Sequence, residues 1–175
     1  MMWLRPQQAA ELERHARASA PHEVCGILFG RDAAVTRVVF IRNAADDPTC
    51  QYRLDEREFV RAVFAAEKDG LGLIGFFHSH PAGLAMPSET DKRLSFYPDA
   101  LHLIIGLAGE PLFAAWRMDG GRAERAELLI QDTQPPELKM SHSAQMLTIV
   151  MASAAAIVCL LILSWVLLPP APPLP

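Results

Sequence analysis

Residues 75–91 read GFFHSHPAGLAMPSETD and follow a short apolar run, LGLI, at 71–74. The apolar run and the residues after it predict a central strand over 71–80, which ends at Pro81 because proline cannot donate to a strand ladder. His78 and His80 stand two residues apart on this strand. Because strand side chains alternate between faces, both imidazoles are expected on one side, at the strand end, where water can enter.

The segments around this strand predict an α/β domain with a mixed sheet. Before it, we expect a helix over 7–18, strands over 24–29 and 35–41, and a helix over 56–68 capped by Asp55. After it, we expect a short helix over 88–96 and strands over 101–107, 112–118 and 122–130. Hairpins mixed with helices in this order favour an α/β sandwich over a doubly wound parallel sheet.

Asp91 lies eleven residues after His80, within the predicted short helix. If that helix folds back over the strand end, two imidazoles and a carboxylate leave a fourth tetrahedral position open, as in catalytic zinc sites. Simpler explanations exist for the separate parts. Ser88 and Asp91 match a helix capping box, and Glu23 stands where a helix-to-strand turn is expected. A cap and a ligand role can coexist in one residue.

The whole pattern is more specific than its parts. Glu23 in PHEVCG, followed by His78-x-His80 and by Ser88-x-x-Asp91, resembles the motif of the JAMM (MPN+) zinc metallopeptidases. The resemblance covers roughly residues 7–130 and implies a cytidine-deaminase-like α/β/α sandwich, the JAMM/MPN fold. It further implies one Zn²⁺ held by His78, His80 and Asp91.

Two catalytic roles are implied by the same resemblance. Glu23 would act as the general base toward the attacking water and then pass the proton to the leaving amine. Ser88 would donate a hydrogen bond to the tetrahedral oxyanion. Cys25, two residues after Glu23, is interpreted as a packed strand cysteine rather than a fourth ligand.

The substrate class is also an expectation from the resemblance. Only eight residues, 92–99, separate Asp91 from the stretch that leads into the next strand, which leaves little room for a ubiquitin-clamping insertion. The chain therefore resembles the minimal prokaryotic members, which cut amide or isopeptide bonds at the C-terminus of ubiquitin-like or sulfur-carrier proteins. A non-catalytic scaffold module for such proteins is the alternative. A deaminase is disfavoured because no Cys-x-x-Cys occurs.

The C-terminal part of the chain has a different composition. All 16 Lys+Arg and all 20 Asp+Glu side chains lie before Ser141, and residues 146–168 are 23 residues without a charge. This length predicts a transmembrane helix, preceded by a linker at 131–145 and followed by a Pro-rich tail at 169–175. The metallopeptidase domain occupies 1–130. Lys139 precedes the predicted span and nothing basic follows it, which predicts a single-pass membrane protein with its catalytic domain on the cytoplasmic side.

Charge and cysteine content exclude two further classes. The net charge is −4 and the basic residues form no run, so no nucleic-acid partner is expected. Three cysteines at unrelated spacings exclude a disulfide framework. The expected partners are the carrier-protein substrate and the lipid bilayer. Ala152 and Ala156 would allow close helix packing in the bilayer, so a homodimer is compatible with the sequence.

Overall fold

The strand that carries the two histidines lies in the middle of an eight-stranded sheet. The computed structural model describes residues 1–110 and 112–135, and residues 1–134 form one compact unit. The elements in chain order are β1 (Met2–Leu4), α1 (Pro6–Ser19), β2 (Cys25–Arg31), β3 (Ala34–Ile41), α2 (Glu56–Lys68), β4 (Gly72–His80), α3 (Glu89–Arg93), β5 (Leu101–Gly106), β6 (Phe113–Asp119), β7 (Arg122–Ala126) and β8 (Leu128–Ile130).

The sheet is mixed, as the sequence predicts. Its strand order is β7-β6-β5-β4-β2-β3-β1-β8. The histidine strand β4 is antiparallel to β2 on one side and parallel to β5 on the other. Cys25 lies opposite His78 in the first pairing, and Ile104 lies opposite His78 in the second. The site is therefore supported by a strand on each side.

Two hydrophobic clusters occupy opposite faces of the sheet. Leu28 and Phe77 pack with Leu12 of α1, whereas their chain neighbours Ile27 and Phe76 pack with Ala66 of α2. Because successive strand residues face opposite sides, α1 and α2 cover different faces. The predicted α/β/α sandwich is confirmed. His78 and His80 follow Phe76 by two and four residues on the same strand, so their side chains also lie on the α2 face.

The capping and turn residues explain where these elements begin and end. The Asp55 side chain accepts hydrogen bonds from the backbone amides of Arg57 and Glu58 at the start of α2, as predicted. The turn between β2 and β3 has two non-glycine residues in the left-handed region. Asp32 and Ala33 form it, with positive φ angles of 48° and 67°.

The last predicted strand, 122–130, is divided in the structure. Arg122–Ala126 pairs with β6 at one end of the sheet order, and Leu128–Ile130 pairs with β1 at the other end. One residue, Glu127, separates the two strands, so this short stretch connects both ends of the sheet. The strand β1 was not predicted, because three residues are too few for an alternating pattern. The helix α3 ends at Arg93 rather than at Phe96.

The predicted anchor lies outside the described residues. The span at 146–168, the tail at 169–175 and the linker from residue 136 onward stay predictions. Across residues 1–110 and 112–135, none of the helices has the length and apolar character needed to cross a membrane. Gln131, the first residue of the predicted linker, still donates its backbone N–H to the carbonyl of Leu4 at 3.1 Å.

Candidate metal centre

Three side chains from β4 and α3 meet at the end of the central strand. The Nε2 atoms of His78 and His80 are 3.1 Å apart. The Oδ2 atom of Asp91 lies 3.4 Å from the His78 nitrogen and 3.3 Å from the His80 nitrogen. His78 is fully buried, and Asp91 is 9% exposed. The short helix α3 therefore folds back over the end of β4, as predicted.

The size of this triangle matches the face of a zinc tetrahedron. Zinc binds imidazole nitrogen and carboxylate oxygen at about 2.0–2.1 Å, and the edge of a tetrahedron is about 1.63 times its centre-to-corner distance. Ligand atoms around zinc should therefore lie about 3.3–3.4 Å apart. The observed separations of 3.1, 3.3 and 3.4 Å fit that value. The three side chains fit a single Zn²⁺, and no fourth ligand joins them within the part of the chain that the structure describes.

Asp91 is held by the residue that caps its helix. The Oδ2 atom of Asp91 accepts hydrogen bonds from the backbone N–H and from the hydroxyl of Ser88, each at 2.7 Å. The Asp91 backbone N–H donates to the Ser88 oxygen at 3.1 Å. Burial raises the pKa of Asp91, but the contacts with His78 and His80 and the hydrogen bonds from Ser88 outweigh it, so the pKa lies below its usual range. The carboxylate is therefore ionised, as a metal ligand must be.

The two histidines are oriented by different contacts. The Nδ1 atom of His80 lies 3.0 Å from the carbonyl oxygen of Leu84, which can only accept, so Nδ1 carries the hydrogen and Nε2 faces the metal position. The Nδ1 atom of His78 has no hydrogen-bond partner among the described residues. Instead, the ring of Tyr52 stacks on His78 with centroids 4.3 Å apart and planes at 18°.

The acid predicted as the general base lies beside this cluster. Glu23 is 7% exposed. Burial raises the pKa of Glu23 to about 7; the charge of His80 lowers it in part, and the charge of Asp91 adds to the rise. A carboxyl group with this pKa can both take up and release a proton near neutral pH.

The position of Glu23 depends on the serine between the two histidines. Ser79 donates its backbone N–H to the carbonyl of Val24 and accepts the Val24 N–H on its hydroxyl, each at 2.9 Å. On the other side, the Glu23 carbonyl accepts from the Asn43 side chain at 3.1 Å, and the Glu23 N–H donates to Pro48 at 2.7 Å. The strand β4 therefore positions both the histidines and the acid.

Cys25 does not point its thiol into the metal cluster. Its Sγ donates to the carbonyl of Ile41 at 3.5 Å, and burial, with smaller contributions from nearby acids, raises its pKa to about 12. The thiol is thus a buried neutral group. Among the described residues, the group close enough to share a metal consists of His78, His80 and Asp91.

A cleft of about 670 Å³ lies between α2 and α3 and reaches Asp91 of the metal cluster. Tyr52 and Asp91 line it, together with Phe76, Tyr97 and His102. The sequence analysis missed Tyr52, Leu84, Ser79 and His102. Of these, Ser79 could have been found, because a small polar side chain at a buried strand position needs a hydrogen-bond partner. Tyr52 and Leu84 lie in loops, and His102 lies on the adjacent strand β5, so no local pattern in the sequence connects them with the site.

The chain is similar to known proteins in sequence. Residues 6–119 match the family model described as prokaryotic homologs of the JAB domain. A desampylase of Haloferax volcanii is 37% identical over 111 residues, which cover 60% of this chain and 80% of the relative. A CysO-cysteine peptidase of Mycobacterium tuberculosis is 37% identical over 93 residues, which cover 52% of this chain and 63% of the relative.

A solved structure agrees with the fold. The solution structure of a Desulfitobacterium hafniense protein is 34% identical in sequence and superposes with a TM-score of 0.69. The match covers 79% of this chain and 98% of that protein. The similarity therefore spans nearly the whole of that protein.

Proposed function

Because the chain belongs to the family of prokaryotic homologs of the JAB domain, we propose that it hydrolyses the bond after the C-terminus of a ubiquitin-like or sulfur-carrier protein. Its enzyme class is that of a JAMM-type isopeptidase, as the names of its relatives and the metal-ligand cluster indicate. The observation that carries the proposal is the triangle of His78, His80 and Asp91 beside the buried acid Glu23.

The names of the relatives and the chemistry of the site support the proposed bond type. The Mycobacterium tuberculosis relative is named as a peptidase for a CysO-cysteine adduct, and the Haloferax volcanii relative as a desampylase. We carry over to this chain the cleavage of an amide or isopeptide bond at the end of a small carrier protein. The open cleft beside Asp91 leaves room for an extended peptide tail.

The residues of this chain divide the chemistry between them. When bound, zinc lowers the pKa of a water molecule to about 7 and polarises the scissile carbonyl group. His78, His80 and Asp91 hold the ion, and the Ser88 and Leu84 contacts keep Asp91 and His80 in position. Glu23 takes the proton from the attacking water and returns it to the leaving amine, roles that a pKa of about 7 suits.

Ser88 has two roles in this proposal. Its hydroxyl donates to Asp91 in the structure, and Ser88 is the N-cap of α3, three residues before that metal ligand. We propose that it turns to donate to the oxyanion in the transition state. Its backbone N–H continues to hold Asp91 at 2.7 Å when the hydroxyl rotates away. The ligand is thus not lost during the reaction.

The proposal includes a membrane anchor. The uncharged stretch 146–168 supports it, and Lys139 before that stretch supports a cytoplasmic catalytic domain. A linker at 131–145 would restrict the enzyme to conjugates near the bilayer surface. Expression of the full chain and of a chain ending at 140, followed by membrane fractionation, tests this part. Recovery of the full chain in the soluble fraction would overturn it.

Hydrolysis is tested with the purified full chain. Its substrate is a small carrier protein ending in Gly-Gly, joined through that end to a lysine side chain or to cysteine. We expect cleavage that stops on chelation and returns with Zn²⁺. In Glu23→Gln, the rate should fall about 10²–10⁴-fold while bound zinc stays at one per chain.

The matched control for this experiment is Glu67→Gln, since Glu67 is an exposed acid near the end of α2 and does not line the cleft. It should keep the full rate. Undiminished cleavage by Glu23→Gln would refute the assigned mechanism. A chain that binds the carrier protein but neither holds zinc nor cleaves would instead support the scaffold function.

A further inference from the structure

We propose that Trp116 is a positioning residue that keeps His80 in the tautomer with a free Nε2 atom. It does so through the backbone of Leu84 and Ala85, in the loop at 81–87. This proposal rests on the proposed function only in taking zinc as the group that His80 binds. Trp116 itself is on β6, two strands away from β4 in the sheet.

The first link is between His80 and Leu84. The Leu84 carbonyl accepts the Nδ1–H of His80 at 3.0 Å and the backbone N–H of Met86 at 2.8 Å. A carbonyl fixed in this way selects one imidazole tautomer, because Nδ1 must carry the hydrogen. If the carbonyl moves away, the two tautomers become closer in energy and the Nε2 lone pair is offered to zinc less often.

The second link is between the loop and β6. The indole Nε1–H of Trp116 donates to the carbonyl of Ala85 at 3.0 Å. Ala85 is buried and packs with Ile104 and Ala114, whereas its neighbours Leu84 and Met86 are 50% and 56% exposed. Ala85 is therefore the buried residue of the loop at 81–87, and the indole fixes its backbone.

The third link is the close approach of the loop to β5. A Cβ atom added at Gly106 would lie 2.1 Å from the Ala85 nitrogen and 2.3 Å from the Leu84 carbonyl carbon. The loop thus rests directly on the Gly106 backbone. The Ala108 N–H also donates to the Gly83 carbonyl at 3.1 Å. These contacts fix how closely the loop approaches the sheet. The hydrogen bond from Trp116 fixes the direction of the neighbouring carbonyl groups of Leu84 and Ala85.

The test compares Trp116→Phe with Trp3→Phe. The first substitution keeps an aromatic ring and removes the N–H that holds Ala85. The second removes an indole N–H that is buried and has no partner among the described residues. Both variants therefore lose the same chemical group, and only Trp116→Phe loses the connection to the metal ligand.

Two readouts are measured on the full chain without substrate. The first is the Zn²⁺ dissociation constant by competition with a chromophoric chelator. We expect it to rise about tenfold in Trp116→Phe, the lower end of effects seen for partners of metal-bound histidines, and to change less than twofold in Trp3→Phe. The second is the ¹⁵N NMR signature of the His80 ring in zinc-loaded protein, in which Asp91 and His80 both face the ion. The wild type should give a slowly exchanging Nδ1–H signal, and this signal should be lost in Trp116→Phe.

A purely structural role for Trp116 would lower the unfolding temperature without loss of the His80 Nδ1–H signal. That result would overturn the proposal, as would an unchanged zinc dissociation constant or an equal loss in Trp3→Phe. Neither readout involves cleavage. A failure to hydrolyse the carrier conjugate would therefore count against the proposed function and leave the assignment of Trp116 standing.

Discussion

Ser88 and Asp91 are joined by a reciprocal pair of hydrogen bonds, and the same carboxylate oxygen faces both histidines. The Ser88 hydroxyl and backbone N–H both lie 2.7 Å from Oδ2 of Asp91. The N-cap of α3 is thus also the support of the metal ligand. The two explanations that the sequence leaves open for this pair, a capping box and a zinc site, are both realised in one geometry.

Ser88→Ala should therefore affect metal binding as well as rate. Loss of the hydroxyl removes one of the two hydrogen bonds to Asp91 and should raise the zinc dissociation constant about tenfold. At saturating zinc, the cleavage rate should still fall about 10²–10³-fold if the hydroxyl also donates to the oxyanion. Zinc titration and steady-state kinetics on the same preparation separate the two effects.

The matched control is Asp55→Ala, which removes the N-cap of α2. Both substitutions should cost about 1 kcal/mol in the free energy of unfolding, but only Ser88→Ala should weaken zinc binding. Equal zinc affinities in Ser88→Ala and the wild type would show that the amide alone is enough to hold Asp91.

Tyr52 should matter through its ring and not through its hydroxyl. Its ring stacks on His78, whose Nδ1 has no partner within the described part of the chain. Tyr52→Phe should keep wild-type zinc affinity, whereas Tyr52→Ala should weaken it several-fold because the stacked ring that supports the imidazole is lost. Isothermal titration with zinc measures both variants. Equal losses in the two would point to the hydroxyl instead.

Zinc should stabilise the fold measurably. A ligand at 100 times its dissociation constant adds about 2.7 kcal/mol to the free energy of unfolding, and chelation should therefore lower the unfolding temperature by roughly 10 °C. The shift should vanish in His78→Asn, which removes a ligand. It should persist in His22→Asn, because His22 is exposed and lies outside the cluster. Differential scanning calorimetry with and without chelator tests this.

His102 should make the domain less stable in acid. Burial, and then the charge of His78, lower its pKa from 6.5 to about 4, while Asp91 opposes this shift. Above pH 6.5 the residue is neutral in both states and its contribution is constant. As the pH falls from 6.5 toward 4, the unfolded chain takes up a proton that the folded chain excludes, so stability falls by up to about 3 kcal/mol.

The measurement is the difference in unfolding free energy between the wild type and His102→Gln, taken in chelator across pH 4–7. Use of chelator removes zinc release from the comparison, and the difference between the two proteins removes the other titrating groups. The wild type should lose stability relative to the variant as the pH falls. Parallel curves would show that His102 titrates normally in the folded state.

Much of the fold could be predicted because its signals are local. The helix α2 begins and ends as its cap and apolar stripe indicate, and the HSH spacing places both imidazoles on one face. The stretch 122–130 looked like one strand because its pattern is continuous. Whether its two halves pair with the same strand depends on the curvature of the sheet, which no short window of sequence encodes.

The candidate site, like the fold, could be predicted only where the signal in the sequence is local. The ligand types and their spacing are visible in the sequence, so His78, His80 and Asp91 could be brought together before any coordinates. The groups that orient them were not visible. Leu84 contributes a carbonyl oxygen that every residue type has, and Tyr52 reaches His78 from a loop whose path no periodicity describes.

The division of the last strand at Glu127 has a consequence for synthesis of the domain. Until residues 122–130 have left the ribosome, β6 at one end of the sheet and β1 at the other both lack their outer neighbour. Unpaired strands of this kind invite pairing with other chains. A nascent chain halted just before Arg122 thus exposes two aggregation-prone strand edges at once, and the next nine residues cover both.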